Sequence, residues 1–237
     1  MPARSTAPIS TAPFNEPSTL SPAGVTGADK ARFWDRTAAR YAAAPLADPA
    51  GYEITLRRVQ GLLRPDQDVL EIGCGTGSSA LRLAPHTRSL RATDVSGEMI
   101  AIARRKLAAA PVAQLSFEVA DAEGPVAAEG AYDVVLAFNV LHLVTELDCA
   151  LQRAVLSLRP GGLLITKTPC LTELNPLITR VALPLMQAIG MAPHTLRLDA
   201  AALESAMVRQ GLLVTSVERH GTRGKDFRVF IVARKPG

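Results

Sequence analysis

The chain has 237 residues, 48% of them hydrophobic, which is enough to bury the core of one α/β domain with an added insertion or tail. Its formal charge of +4 is spread along the sequence rather than clustered, so nucleic-acid binding is not indicated. Three widely spaced cysteines fit neither a disulfide framework nor paired metal ligands, so we expect a reducing, cytoplasmic setting and no bound metal.

The first 28 residues differ in composition from the rest of the chain. They are rich in Ala, Pro, Ser and Thr, have no apolar stretch, and carry Arg4 as their one cation. The segment therefore does not resemble a signal peptide, and we expect a disordered leader over residues 1–28.

Farther along, the longest apolar runs, 134–144 and 181–193, are interrupted by polar residues or proline and are too short to span a membrane.

Residues 29–64 are predicted to form an N-terminal helical cover. The first helix, residues 31–41, carries three aromatic side chains and ends at Tyr41. A second helix is expected over residues 52–63, where apolar residues recur at helical spacing.

From residue 65 onwards, strands and helices alternate. The predicted strands cover 68–72, 89–93, 114–120, 132–138 and 162–168, and the helices cover 76–84, 97–110 and 146–158. This alternation is typical of a parallel sheet with crossover helices. Two later apolar runs, 212–219 and 227–233, predict a closing antiparallel pair. We assign residues 65–237 to one domain, with an apolar insertion at about 171–196.

Two of the helix starts contain candidate capping residues. Ser96 precedes the helix at 97–110 and is predicted to be its N-cap. Residues 145–148, Thr-Glu-Leu-Asp, have the form of a capping box for the helix at 146–158. Both assignments predict that a side-chain oxygen accepts a hydrogen bond from the first helical turn.

Residues 68–77, Asp-Val-Leu-Glu-Ile-Gly-Cys-Gly-Thr-Gly, combine an apolar strand, an acidic residue and three glycines. Gly73, Gly75 and Gly77 allow a sharp turn and bring bare backbone against a ligand. The third glycine comes one residue too early for a dinucleotide fingerprint, and no Lys-Ser/Thr pair follows as in a phosphate loop. The loop therefore suits a ligand with an amino group and hydroxyls better than one with phosphates.

This segment resembles the first motif of the class I S-adenosylmethionine-dependent methyltransferases, V-L-E/D-x-G-x-G-x-G, position by position. The resemblance covers about residues 31–233 and is to the small-molecule, UbiE-like type. It implies a Rossmann-like α/β fold: a seven-stranded, mostly parallel sheet with helices on both faces and an antiparallel last strand. It also implies S-adenosyl-L-methionine as cofactor and S-adenosyl-L-homocysteine as product.

The resemblance further implies which residues contact the cofactor. Asp94 would hold the ribose hydroxyls, Asp121 would accept from the adenine amine, and Tyr41 would lie over the methionine carboxylate. The full predicted set is Tyr41, Glu71, Gly73, Gly75, Gly77, Asp94, Val95, Met99, Asp121, Ala122, Phe138 and Asn139.

His142 is the candidate general base, because imidazole titrates near neutral pH and this residue follows the fourth strand closely. A structural histidine under the cofactor is an equal alternative. Lys167 and Cys170, after the fifth strand, are predicted substrate residues. Leu185 and Met186 are assigned to the same role, in an insertion interpreted as a lid over an apolar acceptor site.

The sequence therefore predicts in-line methyl transfer to a small-molecule acceptor through an oxygen, sulfur or nitrogen nucleophile. An RNA or protein methyltransferase is one alternative, and a non-catalytic scaffold that binds the cofactor is another. A nicotinamide oxidoreductase is disfavoured by the glycine spacing.

Overall fold

A computed structural model describes residues 26–125, 128–174, 177–224 and 226–237. Its elements, in chain order, are α1 Gly27–Ala43, α2 Pro49–Gln60, β1 Asp68–Ile72, α3 Ser78–Leu83, β2 Ser89–Asp94, α4 Gly97–Ala109, β3 Leu115–Val119, β4 Tyr132–Phe138, α5 Leu147–Ser157, β5 Leu158–Pro169, α6 Leu183–Ala188, α7 Ala200–Arg209, β6 Leu213–Glu218 and β7 Arg228–Arg234. A π-helical turn at Ile178–Ala182 precedes α6. Within the described ranges, no helix combines the length and apolarity needed to cross a membrane.

The seven strands form one sheet in the order β3-β2-β1-β4-β5-β7-β6. The first five strands pair in parallel, and β7 lies antiparallel between β5 and β6. This confirms the predicted mostly parallel, Rossmann-like sheet. The strand order reverses between β1 and β4, and sheets of this kind bind ligands at the carboxyl ends of the strands beside such a reversal.

Helices pack on both faces of the sheet. On one face α5 and α7 bury Leu151 and Leu203, and on the other α2, α3 and α4 bury Leu56, Leu83 and Ile100. Because both faces are covered, the central strand β4 is buried along nearly its whole length. The rigid sheet therefore fixes the positions of the residues at its carboxyl edge.

The N-terminal helix begins inside the segment predicted as a leader. Thr26 is the N-cap of α1, and it exchanges hydrogen bonds with Asp29 in a capping box. Residues 1–25 of the predicted leader lie outside the described residues. The local sequence Thr-Gly-Ala-Asp contained this start signal, and the composition of the preceding residues obscured it.

Of the two predicted helix caps, one is confirmed. Ser96 Oγ accepts a hydrogen bond from Met99 N at 3.1 Å, as expected of an N-cap. The capping box at Thr145 is wrong, because the N-cap is the next residue, Glu146, and its side chain makes no capping bond. Instead the carboxylate of Glu123 accepts from Thr145 N at 2.9 Å and from Glu146 N at 2.7 Å. A tertiary contact therefore replaces the local cap.

Candidate active site

A cavity of about 760 Å³ opens at the carboxyl edge of the sheet, and residues of α1 and α2 form part of its wall. Small-molecule sites commonly span about 300–1,000 Å³. The predicted residues that line it are Tyr41, Glu71, Gly73, Gly75, Asp94, Val95, Met99, Asp121, Ala122, Phe138, Asn139, His142 and Lys167. Among the described residues, no group of three His, Cys, Asp or Glu side chains could hold a metal ion.

The three glycines after β1 have different surroundings, although all have positive φ. Gly75 lines the cavity, and a Cβ there would meet only Tyr41 Cε1, at 3.8 Å. A Cβ on Gly73 would clash with Val140. Gly77 does not line the cavity, and a Cβ there would lie 2.5 Å from Phe117 Cζ. Gly77 therefore allows the glycine loop to pack closely against Phe117 and Ala103, and its contact with the cofactor stays a prediction.

Asp94, the last residue of β2, connects the glycine loop to the next loop. Its Oδ2 accepts from Gly75 N at 2.8 Å, and its Oδ1 accepts from Ser96 N at 2.9 Å. Burial raises the pKa of this carboxyl, although the two backbone hydrogen bonds act in the opposite direction. Each oxygen keeps a lone pair, so the carboxylate could also accept from two ligand hydroxyls.

Glu71 Oε2 and Tyr52 Oη, of two cavity-lining residues, are buried and have no hydrogen-bond partner in the described part of the chain, as is also true of His142 Nδ1. The other oxygen of Glu71 accepts from Ser79 Oγ. Burial raises the pKa of Glu71 to about 7, and burial together with the charge of Glu71 raises the pKa of Tyr52 to about 12. Buried polar atoms are normally paired, so these two indicate where a polar ligand group would bind.

Tyr52 was not among the predicted site residues. It lies near the start of α2, in the helical cover, and its side chain combines an apolar ring with one hydroxyl. An aromatic residue with a polar tip, in a helix expected to lie over the site, was the available signal. Its orphaned hydroxyl became evident only from the tertiary packing.

Helix α1 is attached to the cavity rim by polar contacts that the sequence did not indicate. Lys30 Nζ donates to Asp121 Oδ1 at 3.1 Å and also pairs with Glu123. Asp35 accepts from Ser96 Oγ at 2.6 Å. These partners are 61 to 93 residues apart in the sequence, so no local pattern links them. The carboxylate predicted to meet adenine is thus ion-paired with the helical cover.

His142 lines the cavity after β4, where its backbone oxygen accepts from Leu196 N at 2.7 Å. Its Nδ1 is buried and has no partner among the described residues. Burial lowers the pKa of this imidazole to about 4, so the ring is neutral at physiological pH. A neutral ring can accept a proton or a hydrogen bond, but no described group orients it as in a catalytic triad.

Three predicted substrate residues are not in the cavity wall. Cys170 is fully buried, and burial raises the pKa of its thiol to about 11, which makes it an inert core residue. Leu185 and Met186 are 64% and 40% exposed, because they lie on the outer side of α6. Leu183 of the same helix lines the cavity instead. The rotation of α6 about its own axis decides which leucine faces the cavity, and the sequence did not specify this rotation.

Residues 69–162, which contain the glycine loop and strands β1 to β5 up to Gly162, match a family model described as a methyltransferase domain. Residues 69–162 therefore carry a methyltransferase domain. The matched segment supplies Glu71, Asp94, Asp121 and His142 to the cavity, while α1, α2 and the segment after β5 lie outside it. Much of the cavity wall is therefore built from residues that the family model does not cover.

The curated relatives of the chain include the highly reducing polyketide synthase valA of Aspergillus terreus. It is 33% identical over 119 residues, which cover 43% of this chain and 5% of the relative. The chain thus spans only a small fraction of the length of such relatives.

Two solved structures share the fold at low sequence identity. The [4+2]-cyclase SpnF is 19% identical with a TM-score of 0.70, and the match covers 91% of this chain and 98% of SpnF. A Haemonchus contortus phosphoethanolamine N-methyltransferase, solved with phosphomonomethylethanolamine and S-adenosylhomocysteine, is 16% identical with a TM-score of 0.69. That match covers 88% of this chain and 61% of the Haemonchus protein.

Proposed function

We propose that the protein transfers the methyl group of S-adenosylmethionine to a small-molecule acceptor through an oxygen, sulfur or nitrogen nucleophile. The observation that carries this proposal is that one cavity contains both groups of predicted residues. Glu71, Asp94 and Asp121, predicted to bind the cofactor, line the same cavity as His142 and Lys167, predicted to act on or bind the substrate. Cofactor and acceptor could thus be held side by side, which in-line displacement requires.

The residues present fit the methyl donor. Asp94 offers two acceptor oxygens for the ribose, and the unpaired Glu71 Oε2 and Tyr52 Oη suit the amino and carboxylate groups of the methionine part. Gly75 leaves the backbone bare on the cavity side. When bound, the sulfonium supplies an activated methyl group and a neutral leaving group. The protein is then left with the tasks of orientation and water exclusion.

The small-molecule class of acceptor is supported by apolar residues in the cavity wall. Leu171, Leu174, Leu183 and Pro193, all from the segment after β5, line the cavity from one side. We therefore retain the interpretation of residues 171–196 as a lid over an apolar acceptor, now with Leu183 as an inward-facing residue. An RNA substrate would instead require a clustered basic surface, and the +4 charge is spread along the sequence.

The fold by itself does not determine the reaction, since the similar SpnF is a cyclase. Calorimetry with S-adenosylmethionine and S-adenosylhomocysteine, followed by a screen of cofactor consumption across thiols, phenols, amines and carboxylates, tests the proposal. We expect micromolar binding and consumption with at least one acceptor class. Binding without consumption in any class would favour a scaffold, and consumption with RNA or protein alone would favour a macromolecular methyltransferase.

Replacing His142 with alanine tests its role at the acceptor. If it receives the acceptor proton, turnover should fall about 100-fold with less than a twofold change in the dissociation constant for S-adenosylhomocysteine. Since the pKa of His142 is about 4, its titration should cause no change in the rate of the wild-type enzyme between pH 6 and 8. An equal loss of turnover and cofactor affinity would make His142 structural.

Cofactor affinity should depend on pH through Glu71. Because burial raises its pKa to about 7, the free protein is half protonated there near neutral pH, whereas a bound ammonium group would favour the carboxylate. The dissociation constant for S-adenosylhomocysteine should therefore rise about tenfold as the pH falls from 8 to 6. Calorimetry at both pH values measures this. Glu71→Gln should abolish the dependence, and a flat wild-type profile would contradict an ammonium beside Glu71.

A further inference from the structure

Lys167 is a buried cation in the cavity wall, near the carboxyl end of β5. It is 8% exposed, and its ammonium donates to Thr55 Oγ1 at 2.7 Å. It forms no ion pair with any carboxylate of the described residues. Asp226 and Asp48 favour its charge from a longer distance, but burial dominates and lowers the pKa of Lys167. The free protein therefore holds an ammonium that is incompletely compensated.

The two carboxylates that favour the charge of Lys167 already accept hydrogen bonds from other donors. Asp226 accepts hydrogen bonds from three backbone N–H groups, including those of His220 and Arg228. Asp48 accepts from Gly51 N and from the backbone and side chain of Thr222. Neither carboxylate can turn toward Lys167 without losing these bonds.

A line of hydrogen bonds through Thr55, His220, Glu218 and Arg58 fixes the position of Lys167. Thr55 Oγ1 lies 3.1 Å from His220 Nδ1, and His220 Nε2 lies 3.0 Å from Glu218 Oε2. Arg58 donates to both oxygens of Glu218, so the charge of this carboxylate is already matched. The line therefore positions the ammonium of Lys167 but provides no unpaired carboxylate to balance its charge.

A second cation lies beside Lys167 for a reason that the sheet register makes clear. In the antiparallel pairing of β5 with β7, Lys167 lies opposite Phe230 and Pro169 lies opposite Arg228. Lys167 and Arg228 are thus diagonal neighbours on one face of the sheet. Arg228 also lines the cavity, and its charge disfavours that of Lys167. Two neighbouring cations at one end of a cavity favour an anionic ligand there.

We propose that Lys167 and Arg228 form an oxyanion-binding subsite, so that the acceptor is a small molecule with an apolar body and a carboxylate or phosphate group at one end. The apolar body would lie against Leu171, Leu174 and Leu183, which line the same cavity. This inference rests on the proposed function, because it assigns the acceptor class of that site. An oxyanion supplies the charge-assisted hydrogen bonds that the buried ammonium lacks.

The test is calorimetry on the full chain loaded with S-adenosylhomocysteine, with matched probes: octanoate, octyl phosphate, octanamide and octylamine. At least one anionic probe should bind about tenfold more tightly than the amide, and the amine should bind most weakly. A preference for octanoate or for octyl phosphate identifies which oxyanion the subsite takes. If both anions bind no better than the amide, the inference is overturned while the proposed function stands. If S-adenosylhomocysteine itself does not bind, both are overturned.

Three variants separate anion binding from a structural role. Lys167→Met should reduce the anion preference to less than about threefold and leave the midpoint of thermal unfolding unchanged or higher, because it removes a buried charge without an ion-pair partner. Thr55→Val should weaken the preference partially, as expected for a positioning residue. Lys235→Met, which removes a lysine bonded to Val155 O and Leu158 O away from the cavity, should leave the preference intact. If Lys167→Met lowers the unfolding midpoint but keeps the anion preference, Lys167 is structural and the inference fails.

Discussion

Replacing Asp94 with alanine is expected to raise the dissociation constant for S-adenosylhomocysteine about 100-fold or more. The carboxylate contributes in two ways. In the proposed function it offers two oxygens to the ribose hydroxyls, and in the structure it accepts hydrogen bonds from Gly75 N and Ser96 N at 2.8 and 2.9 Å. Alanine removes both contributions, so the glycine loop loses its attachment as well as the ligand contact. Calorimetry with S-adenosylhomocysteine measures the effect.

The matched variant Asp94→Asn separates the two contributions. Asparagine keeps one oxygen that can accept from a backbone N–H, so unfolding stability should fall less than in the alanine variant, where two buried donors lose their partner. Affinity should still fall, because the amide is neutral and donates from its other end. An unchanged dissociation constant in both variants would remove Asp94 from the ribose site.

Gly77→Ala is expected to destabilise the fold by about 3 kcal/mol or more. The residue has a φ of +74°, and a Cβ would lie 2.5 Å from Phe117 Cζ and 2.9 Å from Ala103 Cβ. Strain in the backbone and overpacking between the glycine loop, α4 and β3 therefore act together. Chemical denaturation measures the loss of stability.

Gly75→Ala is the matched control, because this glycine belongs to the same loop but faces the cavity. Its φ of +54° predicts a strain cost of about 1 kcal/mol, without a close contact. We expect a modest loss of stability and a large loss of affinity for S-adenosylhomocysteine, since the added methyl group would occupy ligand space. If Gly77→Ala kept full stability and lost only affinity, Gly77 would be a ligand-contacting residue after all.

The fold was largely predictable because its signals are local. Strand β1, the turn at the glycine loop and strand β4 each have a pattern contained within a few residues, and their observed bounds agree with the predicted ones. Errors arose where a distant group replaced a local one. Glu123 caps the start of α5 in place of Thr145, and no pattern within that helix could show this.

The candidate site divides in the same way. Residues at strand ends, such as Asp94 and Asp121, were predictable because a parallel sheet brings consecutive carboxyl ends to one edge. From α1 and α2 only Tyr41 was predicted. Lys30 and Tyr52 were not, since they reach the cavity through helix packing. The same holds for the insertion, where Leu183 faces the cavity and Leu185, about half a helical turn farther on, faces outward.

The sequence by itself determined the class of domain and the half of the cavity suited to the methyl donor, because a glycine loop and acids at strand ends are encoded by adjacent residues. Only the tertiary structure decided that Gly77 is a packing residue, that Cys170 is buried in the core, and that Lys167 and Arg228 are neighbours in the cavity wall. These properties depend on burial and on strand register, which arise between segments far apart in the chain. A single stretch of sequence cannot encode them.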